Sequence, residues 1–455
     1  MKTLDDIMTK QREYYESCAT RDINFRLSRL KALEESILAH EEDLYQAFAT
    51  DLAKGKTETY MAEISVVVAE IRQMRRHLRS WMKPKRVRGT LGTFPGVNKI
   101  YHDPYGIVLI LAPWNYPLLL TLSPLAGAIA AGNCAVVKCS KSAPNCAAVI
   151  KDIIDTAFEE KYVHCVDAAI SYDEVLAPKY DYIFFTGSPR VGRQIMERAA
   201  RDLIPVSLEL GGKSPCFVTK DANLKTAAKR IAWGKLLNAG QTCISVDYIL
   251  IDRSIKEEFI RTFRAEIELR YPDAAHNPEY PRIITEHHFN RLAALIEAEK
   301  GTVLGGALNA AERKIEPAII ADASFDSECM KEEIFGPIIP VIGYENLDDA
   351  VKIVNSKPHP LATYIFTEDK KLAQELLMRL PFGGGCINDT ILHISNDRMP
   401  FGGVGNSGMG GYHGVHSFRT FTHDKSVVEN TTAVDFPIRY APFGEKKWKI
   451  IKKIL

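Results

Sequence analysis

Gly106-Ile107-Val108-Leu109-Ile110-Leu111-Ala112 is an unbroken apolar run of strand length, closed by Pro113. Such a run, with no alternation of polar residues, suits a strand buried on both faces, as in a parallel sheet covered by helices. The residues after it keep the same rhythm. Leu118 to Ala131 is a small-residue helix, and Cys134-Ala135-Val136-Val137-Lys138 is the next strand. Ala147 to Glu159 reads as a helix, and Ala168-Ala169-Ile170 and Tyr182-Ile183-Phe184-Phe185 as strands. Val191 to Ala200 is helical, and Val206 to Leu210 closes the series. Buried strands alternating with helices predict an α/β fold with a doubly wound parallel sheet, whose ligands bind beyond the carboxyl ends of the strands.

Upstream, residues 3 to 82 read as helices. Leu27, Leu30, Leu33, Ile37 and Leu38 recur at helical spacing, as do Ile64, Val67, Val68, Ile71 and Met74, until Pro84. Lys85 to His102 then reads as a hairpin around Gly89, Gly92, Pro95 and Gly96, either a projecting dimer arm or an ordinary surface hairpin. Downstream, Tyr248–Ile251, Ala318–Ile320, Ile338–Ile342 and Ala362–Phe366 read as strands, with helices at 254–270, 286–299, 347–355 and 369–379. That is a second α/β domain beginning near Gly212.

Composition narrows the function classes. The 455 residues carry 58 basic and 57 acidic side chains, a net charge of +1, so a nucleic-acid partner is not expected. The cysteine count of 9 is odd and includes no CxxC, which suits reduced thiols in a cytoplasm. Met1 to Arg12 contains acids and no apolar core, so no signal peptide is expected there. Pro104 to Val137 lacks charge over a length that would span a bilayer. Pro113, Pro117 and Pro124 with Gly106, Gly127 and Gly132 break it into pieces better suited to a soluble core.

Four places carry chemistry. In Asn238-Ala239-Gly240-Gln241-Thr242-Cys243-Ile244 a cysteine stands in a small polar turn after an apolar helix. Val206-Ser207-Leu208-Glu209-Leu210-Gly211-Gly212-Lys213 places a carboxylate on an apolar strand that ends on paired glycines. A thiol and a base at the edges of regular elements suit covalent catalysis. Between Pro113 and Pro117, Asn115 lies at the carboxyl edge of the first strand, where its amide could donate to a developing oxyanion. Phe185-Thr186-Gly187-Ser188-Pro189-Arg190-Val191-Gly192 joins a strand to a helix, a setting that favours a pyrophosphate, although G-x4-G is not the G-x-G-x-x-G fingerprint. His393, His413, His416 and His423 lack the carboxylates or thiols of a closed metal shell, and no metal is expected.

Taken in one order with Glu332-Glu333-Ile334-Phe335-Gly336-Pro337 and Pro400-Phe401-Gly402-Gly403, these motifs resemble the aldehyde dehydrogenase superfamily over roughly residues 1 to 425. Leu208–Pro215, Ile231–Lys235, Gly240–Cys243 with Asp247–Leu250, and Pro400–Gly410 with Tyr412–Gly414 resemble its class 3 group of fatty and aromatic aldehyde dehydrogenases. The resemblance implies Cys243 as nucleophile, Glu209 as general base, and Asn115 with the Cys243 N–H as oxyanion hole. It implies a cofactor site of Trp114, Lys138, Lys141, Gly187, Ser188, Gly192, Leu210, Gly211, Glu333 and Phe335 for NAD or NADP. Family members usually carry Glu where this chain has Lys141. A lysine there attracts a 2′-phosphate, which leans towards accepting NADP.

The resemblance also divides the chain. Residues 1–84 with 103–211 would bind NAD(P), 85–102 would be an oligomerisation hairpin, 212–411 the catalytic domain, 412–428 a C-terminal arm and 429–455 a basic amphipathic tail. It implies a homodimer and medium- or long-chain aliphatic or aromatic aldehydes. Trp448, Ile451 and Leu455 share one face of the tail, among Lys446, Lys447, Lys449, Lys452 and Lys453, so 445–455 either packs on a partner or funnel or touches a membrane surface weakly. The alternatives are an acyl-CoA reductase and a non-redox cysteine esterase or thioesterase, with Glu209 favouring hydrolysis to the acid.

Overall fold

The computed structural model describes residues 3–299 and 301–454, the side chain of Ile454 excepted. Leu455, expected on the apolar face of the tail, lies outside them. The opening run forms strand Ile107–Leu111, buried at every position, within a six-stranded sheet. The spatial order is Gly408–Met409, Val206–Leu210, Tyr182–Gly187, Ile107–Leu111, Cys134–Lys138, Val163–Cys165. The last five run parallel to their neighbours. Gly408–Met409 pairs antiparallel with Val206–Leu210, setting Gly408 opposite Glu209.

Helix Leu119–Ala131 is buried along its whole length, which is why its sequence is uniformly small or apolar. Helices Ile23–Ala39 and Ser65–Trp81 pack against it. From Ile107–Leu111 the chain winds one way through Cys134–Lys138 and Val163–Cys165, then returns to the other side as Tyr182–Gly187. The carboxyl ends of Ile107–Leu111 and Tyr182–Gly187 therefore flank a topological switch point, the expected place for a ligand.

A seven-stranded sheet holds the second set of strands. Its order is Val303–Gly305, Ala318–Ile320, Ile338–Tyr344, Tyr248–Asp252, Pro215–Val218, Ala362–Phe366, Gly384–Ile387. All pairs are parallel except Val303–Gly305 with Ala318–Ile320. The expected helices stand as Lys256–Arg270, Glu286–Ala298, Leu347–Asn355 and Lys370–Arg379.

One expected strand is wrong. Ala168–Ile170 is a turn, and the edge strand is Val163–Cys165. The Ala169 N–H turns back to the Asp167 carboxylate at 2.7 Å, and the Ala168 carbonyl accepts from Lys138 Nζ at 3.0 Å, so neither group is free for a ladder.

The chain forms two compact units, Met1–Trp81 with Pro104–Thr422, and Met82–Asp103 with His423–Leu455. Both large sheets belong to the first. In the second, Lys85–Val87 and Val97–Pro104 form the expected antiparallel hairpin, and Thr422–Glu429 adds a third strand. Its helix Glu445–Ile454 leaves Trp448 and Ile450 exposed among lysines. Among the described residues no helix is long and apolar enough to cross a membrane.

Candidate active site

The loop bearing Cys243 follows helix Leu224–Leu236 and is held in an uncommon backbone conformation. Asn238, Ala239 and Gly240 all have positive φ, at 52°, 52° and 74°. Asparagine and glycine tolerate this region, but alanine does so only where its surroundings fix it. Those surroundings are dense. The Asn238 N–H donates to Glu58 Oε1 at 2.7 Å, and Asn238 Nδ2 donates to the Asn115 carbonyl at 2.8 Å. Gln241 Nε2 donates to the carbonyls of Asn238 and Arg282, both at 3.0 Å, while Gln241 Oε1 accepts from the Ile284 N–H. A Cβ on Gly240 would stand 2.4 Å from the Gly336 oxygen, so this turn requires glycine. The loop delivers Cys243 half-buried between the buried Thr242 and Ile244.

The Asn115 turn is stitched to the thiol loop. Asn115 is buried and donates one amide N–H to the Gln241 carbonyl at 3.0 Å. A carboxamide has a second N–H, and the bond to the Gln241 carbonyl uses only one of the two. The Tyr116 hydroxyl shares a hydrogen bond of 2.7 Å with Thr242 Oγ1.

Glu209 is 2% exposed, and neither of its carboxylate oxygens has a hydrogen-bond partner. Burial alone drives its pKa well above the ordinary carboxylate value. The Cys243 thiol is pushed up to about 12, first by burial and then by the charges of Glu333 and Glu209. Glu333 itself rises to about 8, again by burial first and then by Asp247. Asp247 is engaged by Lys213 and accepts the Ile334 N–H at 2.9 Å, which anchors the Glu333 segment. Burial thus favours the neutral form of all three groups, the thiol and the two carboxyls.

Of the expected cofactor residues, Gly187 and Ser188 stand where the strand flanking the switch point ends, and Gly192 lies in the first turn of the helix that follows. Ser188 caps helix Pro189–Arg201 by accepting from the Val191 N–H, immediately after Gly187 ends its strand. A Cβ on Gly187 would meet the Phe185 ring at 2.4 Å, and one on Gly192 would meet Leu210 Cδ2 at 2.7 Å. The glycines thus keep helix, strand and turn in close contact, leaving the helix N-terminus open to an anion. This cradle fits a dinucleotide pyrophosphate. Lys138 ends its strand with Nζ donating to the carbonyls of Cys139 and Ala168 at 3.3 and 3.0 Å, and Lys141 is exposed just beyond. Trp114 stands edge-to-face with Phe335 at 5.5 Å and beside His288 at 5.6 Å. Leu210 and Gly211 continue the Glu209 strand towards Glu333.

No cluster of three or more metal-ligating side chains occurs among the described residues. His413 is buried with Nδ1 on Glu70 at 3.2 Å, and His393 lies 3.7 Å from the Cys386 sulfur. The sequence reading missed Lys54, Glu58 and Glu63: the fold buries Lys54 and Glu63 and half-buries Glu58, bonding them to the Asn115 turn and the thiol loop. Only the tertiary fold reveals them, because isolated charges in a helical run ordinarily face water.

A doubly wound sheet with a glycine-lined helix N-terminus at its switch point, together with a thiol within electrostatic reach of a buried carboxyl, suits an α/β oxidoreductase. Residues 1–427 match the aldehyde dehydrogenase family. The chain is 42% identical to the 4,4'-diaponeurosporen-aldehyde dehydrogenase of Staphylococcus aureus (strain NCTC 8325 / PS 47), over 99% of each chain. It is 39% identical to the dimeric, NADP-preferring aldehyde dehydrogenase of Canis lupus familiaris, over 97% of this chain and 98% of that one. The substrate-bound structure of Staphylococcus aureus AldH superposes with a TM-score of 0.97 at 40% identity, covering 100% of this chain and 99% of that one. The chain belongs to the aldehyde dehydrogenase family and is an oxidoreductase acting on aldehydes.

Proposed function

We propose that the chain oxidises medium- to long-chain aliphatic or aromatic aldehydes to carboxylic acids with NAD or NADP, through a thioester on Cys243. The observation that carries this reading is the buried Glu209 carboxyl, unpartnered and close enough to raise the Cys243 pKa. A base left without partners has its oxygens available for a water and for the proton it releases.

In this mechanism the Cys243 thiolate adds to the aldehyde carbon. The second Asn115 N–H and the Cys243 N–H donate to the oxyanion of the resulting thiohemiacetal. The bound dinucleotide supplies the two-electron acceptor for conversion to the thioester. Gly187, Ser188 and Gly192 hold its pyrophosphate, Lys138 and Lys141 its adenosine ribose, and Trp114, Leu210, Gly211, Glu333 and Phe335 its nicotinamide half. Glu209 then takes a proton from water, which attacks the thioester carbon. The acid leaves and the thiol is restored.

The relatives support the finer points. The Staphylococcus aureus relative is named for a diaponeurosporen-aldehyde, and the Canis relative is dimeric and prefers NADP. An apolar substrate, NADP use through the exposed Lys141 and a homodimer through the 85–102 hairpin follow as proposals. So does a division into an NAD(P)-binding part (1–84 and 103–211), a catalytic part (212–411), an arm (412–428) and a tail (429–455). A cytoplasmic enzyme with weak surface contact to anionic lipid through 445–455 suits the lysines of the last helix.

Absorbance at 340 nm after adding hexanal or benzaldehyde with NADP or NAD tests the reading. Aldehyde-dependent NAD(P)H without CoA is the expected result. Cys243→Ala should retain less than about 1% of the rate, given the losses typical of removing a nucleophile. Strict CoA dependence would indicate an acyl-CoA reductase, and ester cleavage without NAD(P)H a simple cysteine hydrolase.

A further inference from the structure

Lys54 and Glu63 form an ion pair of 3.2 Å in which neither side chain is exposed to solvent. Withdrawing two charges from water costs several kcal/mol per ion unless the surrounding groups satisfy them. Lys54 and Glu63 are satisfied by one short segment, Asn115 to Leu119. Lys54 Nζ donates to Glu63 Oε1 at 3.2 Å and to the Asn115 carbonyl at 3.5 Å. The same ammonium lies over the Tyr116 ring, 4.4 Å from its centroid, and faces Phe48 at 5.2 Å. Glu63 Oε2 accepts the Leu119 N–H at 2.9 Å.

The grip extends to the thiol loop. The Asn115 carbonyl, touched by Lys54 from one side, accepts Asn238 Nδ2 at 2.8 Å from the other. Tyr116, beneath the ammonium, reaches Thr242 with its hydroxyl. Glu58, from the same stretch as Lys54 and Glu63, accepts the Asn238 N–H at 2.7 Å. Glu63 lies on a π-helical turn, Tyr60–Ile64, a local departure often met at functional sites. An apolar filler would occupy the same volume, but it could not fix the peptide plane that aims the Asn115 side chain.

We propose that Lys54 and Glu63 are positioning residues, which hold the Asn115 amide and the Cys243 loop in the separation that stabilises the oxyanion. The proposal rests on the role of Asn115 in the oxyanion hole under the proposed function. A positioning role differs from simple packing in where the loss falls. It lowers kcat, leaves substrate and cofactor binding nearly unchanged, and disappears when Asn115 is already gone.

The test uses the full-length enzyme with hexanal and NADP. Lys54→Met/Glu63→Gln removes both charges of the pair together, and the carboxamide oxygen introduced by the second change still accepts the Leu119 N–H. This variant should keep cofactor Kd and aldehyde KM within about threefold and lose kcat by about 10- to 100-fold, as expected for misaligned reacting groups. In an Asn115→Ala background the same pair of changes should cost less than about twofold. Lys54→Arg, which retains the charge on a longer, planar head, serves if the neutral pair does not fold, and should lose kcat without rescue. A kcat within twofold of wild type, or an equal loss with and without Asn115, would overturn the inference. Asn115→Ala at full kcat would instead overturn the role of Asn115 itself, and that result appears without touching Lys54.

Discussion

Gly211 and Glu333, more than a hundred positions apart in sequence, meet so closely that a Cβ on Gly211 would lie 2.1 Å from Glu333 Oε2. The carboxyl is kept there by burial and by the Gly212 N–H. Gly211→Ala should therefore displace Glu333. The expected outcome is a rise of about tenfold or more in cofactor Kd, measured by fluorescence titration, with the thermal midpoint nearly unchanged. Unaltered cofactor affinity would show that Glu333 has no part in holding the dinucleotide.

Glu209→Gln separates the two halves of the proposed reaction. Gln keeps the volume of the unpartnered carboxyl but cannot take a proton. Stopped flow should show one rapid turnover of NAD(P)H per site, followed by a steady rate reduced about 10²- to 10⁴-fold. Loss of the rapid phase as well would place Glu209 in the first half of the reaction.

The pH dependence has a definite sign. In the proposed mechanism Cys243 and Glu209 act in their ionised forms, and burial raises the pKa of both, the thiol to about 12. Each ionised fraction grows with pH, so kcat/KM should climb from neutral through the alkaline range. Glu333, with its pKa near 8, becomes charged over part of that range and opposes thiolate formation. Glu333→Gln should therefore speed iodoacetamide labelling of Cys243 above pH 8 and leave it little changed at pH 6. Equal labelling rates at pH 9 would remove Glu333 from the electrostatics of the thiol.

In the proposed function cofactor choice turns on Lys141, exposed past the end of its strand. Lys141→Glu exchanges an attraction for a 2′-phosphate for a repulsion. The ratio of kcat/KM for NADP over NAD should fall by about tenfold or more, with the effect shrinking at high salt. A ratio unmoved by the change would leave the choice to other residues.

Gly240 tests the strain in the thiol loop. With φ at +74° and the Gly336 oxygen 2.4 Å from the position of a Cβ, Gly240→Ala should cost about 2 kcal/mol or more of stability in urea unfolding. Activity should fall further than stability, because the turn sets where Cys243 stands.

How far the sequence reaches depends on what each segment carries alone. Ile107–Leu111 and Tyr182–Gly187 were legible because buried parallel strands are apolar throughout. Val163–Cys165 was not, since it is three residues long with His164 at its centre, while the more apolar Ala168–Ile170 is bent away by Asp167. Gly384–Ile387 begins with paired glycines, and its strand character comes from parallel pairing with Ala362–Phe366. Pro215–Val218 is similarly short and is fixed by neighbours on both sides. At the site, Cys243, Glu209 and Asn115 stand in turns and strand ends that sequence can mark. Lys54, Glu58 and Glu63 could not be marked, because their meaning lies in the bonds they make to residues far along the chain.

The antiparallel pairing of Gly408 with Glu209 sets an order in time. Until the stretch from Phe401 to Tyr412 has been synthesised, strand Val206–Leu210 is the open margin of its sheet, with the Glu209 backbone unpaired on that side. Residues far downstream in the chain thus close the sheet margin beside the carboxyl that the proposed mechanism uses as its base, and the margin stays open until they have been made.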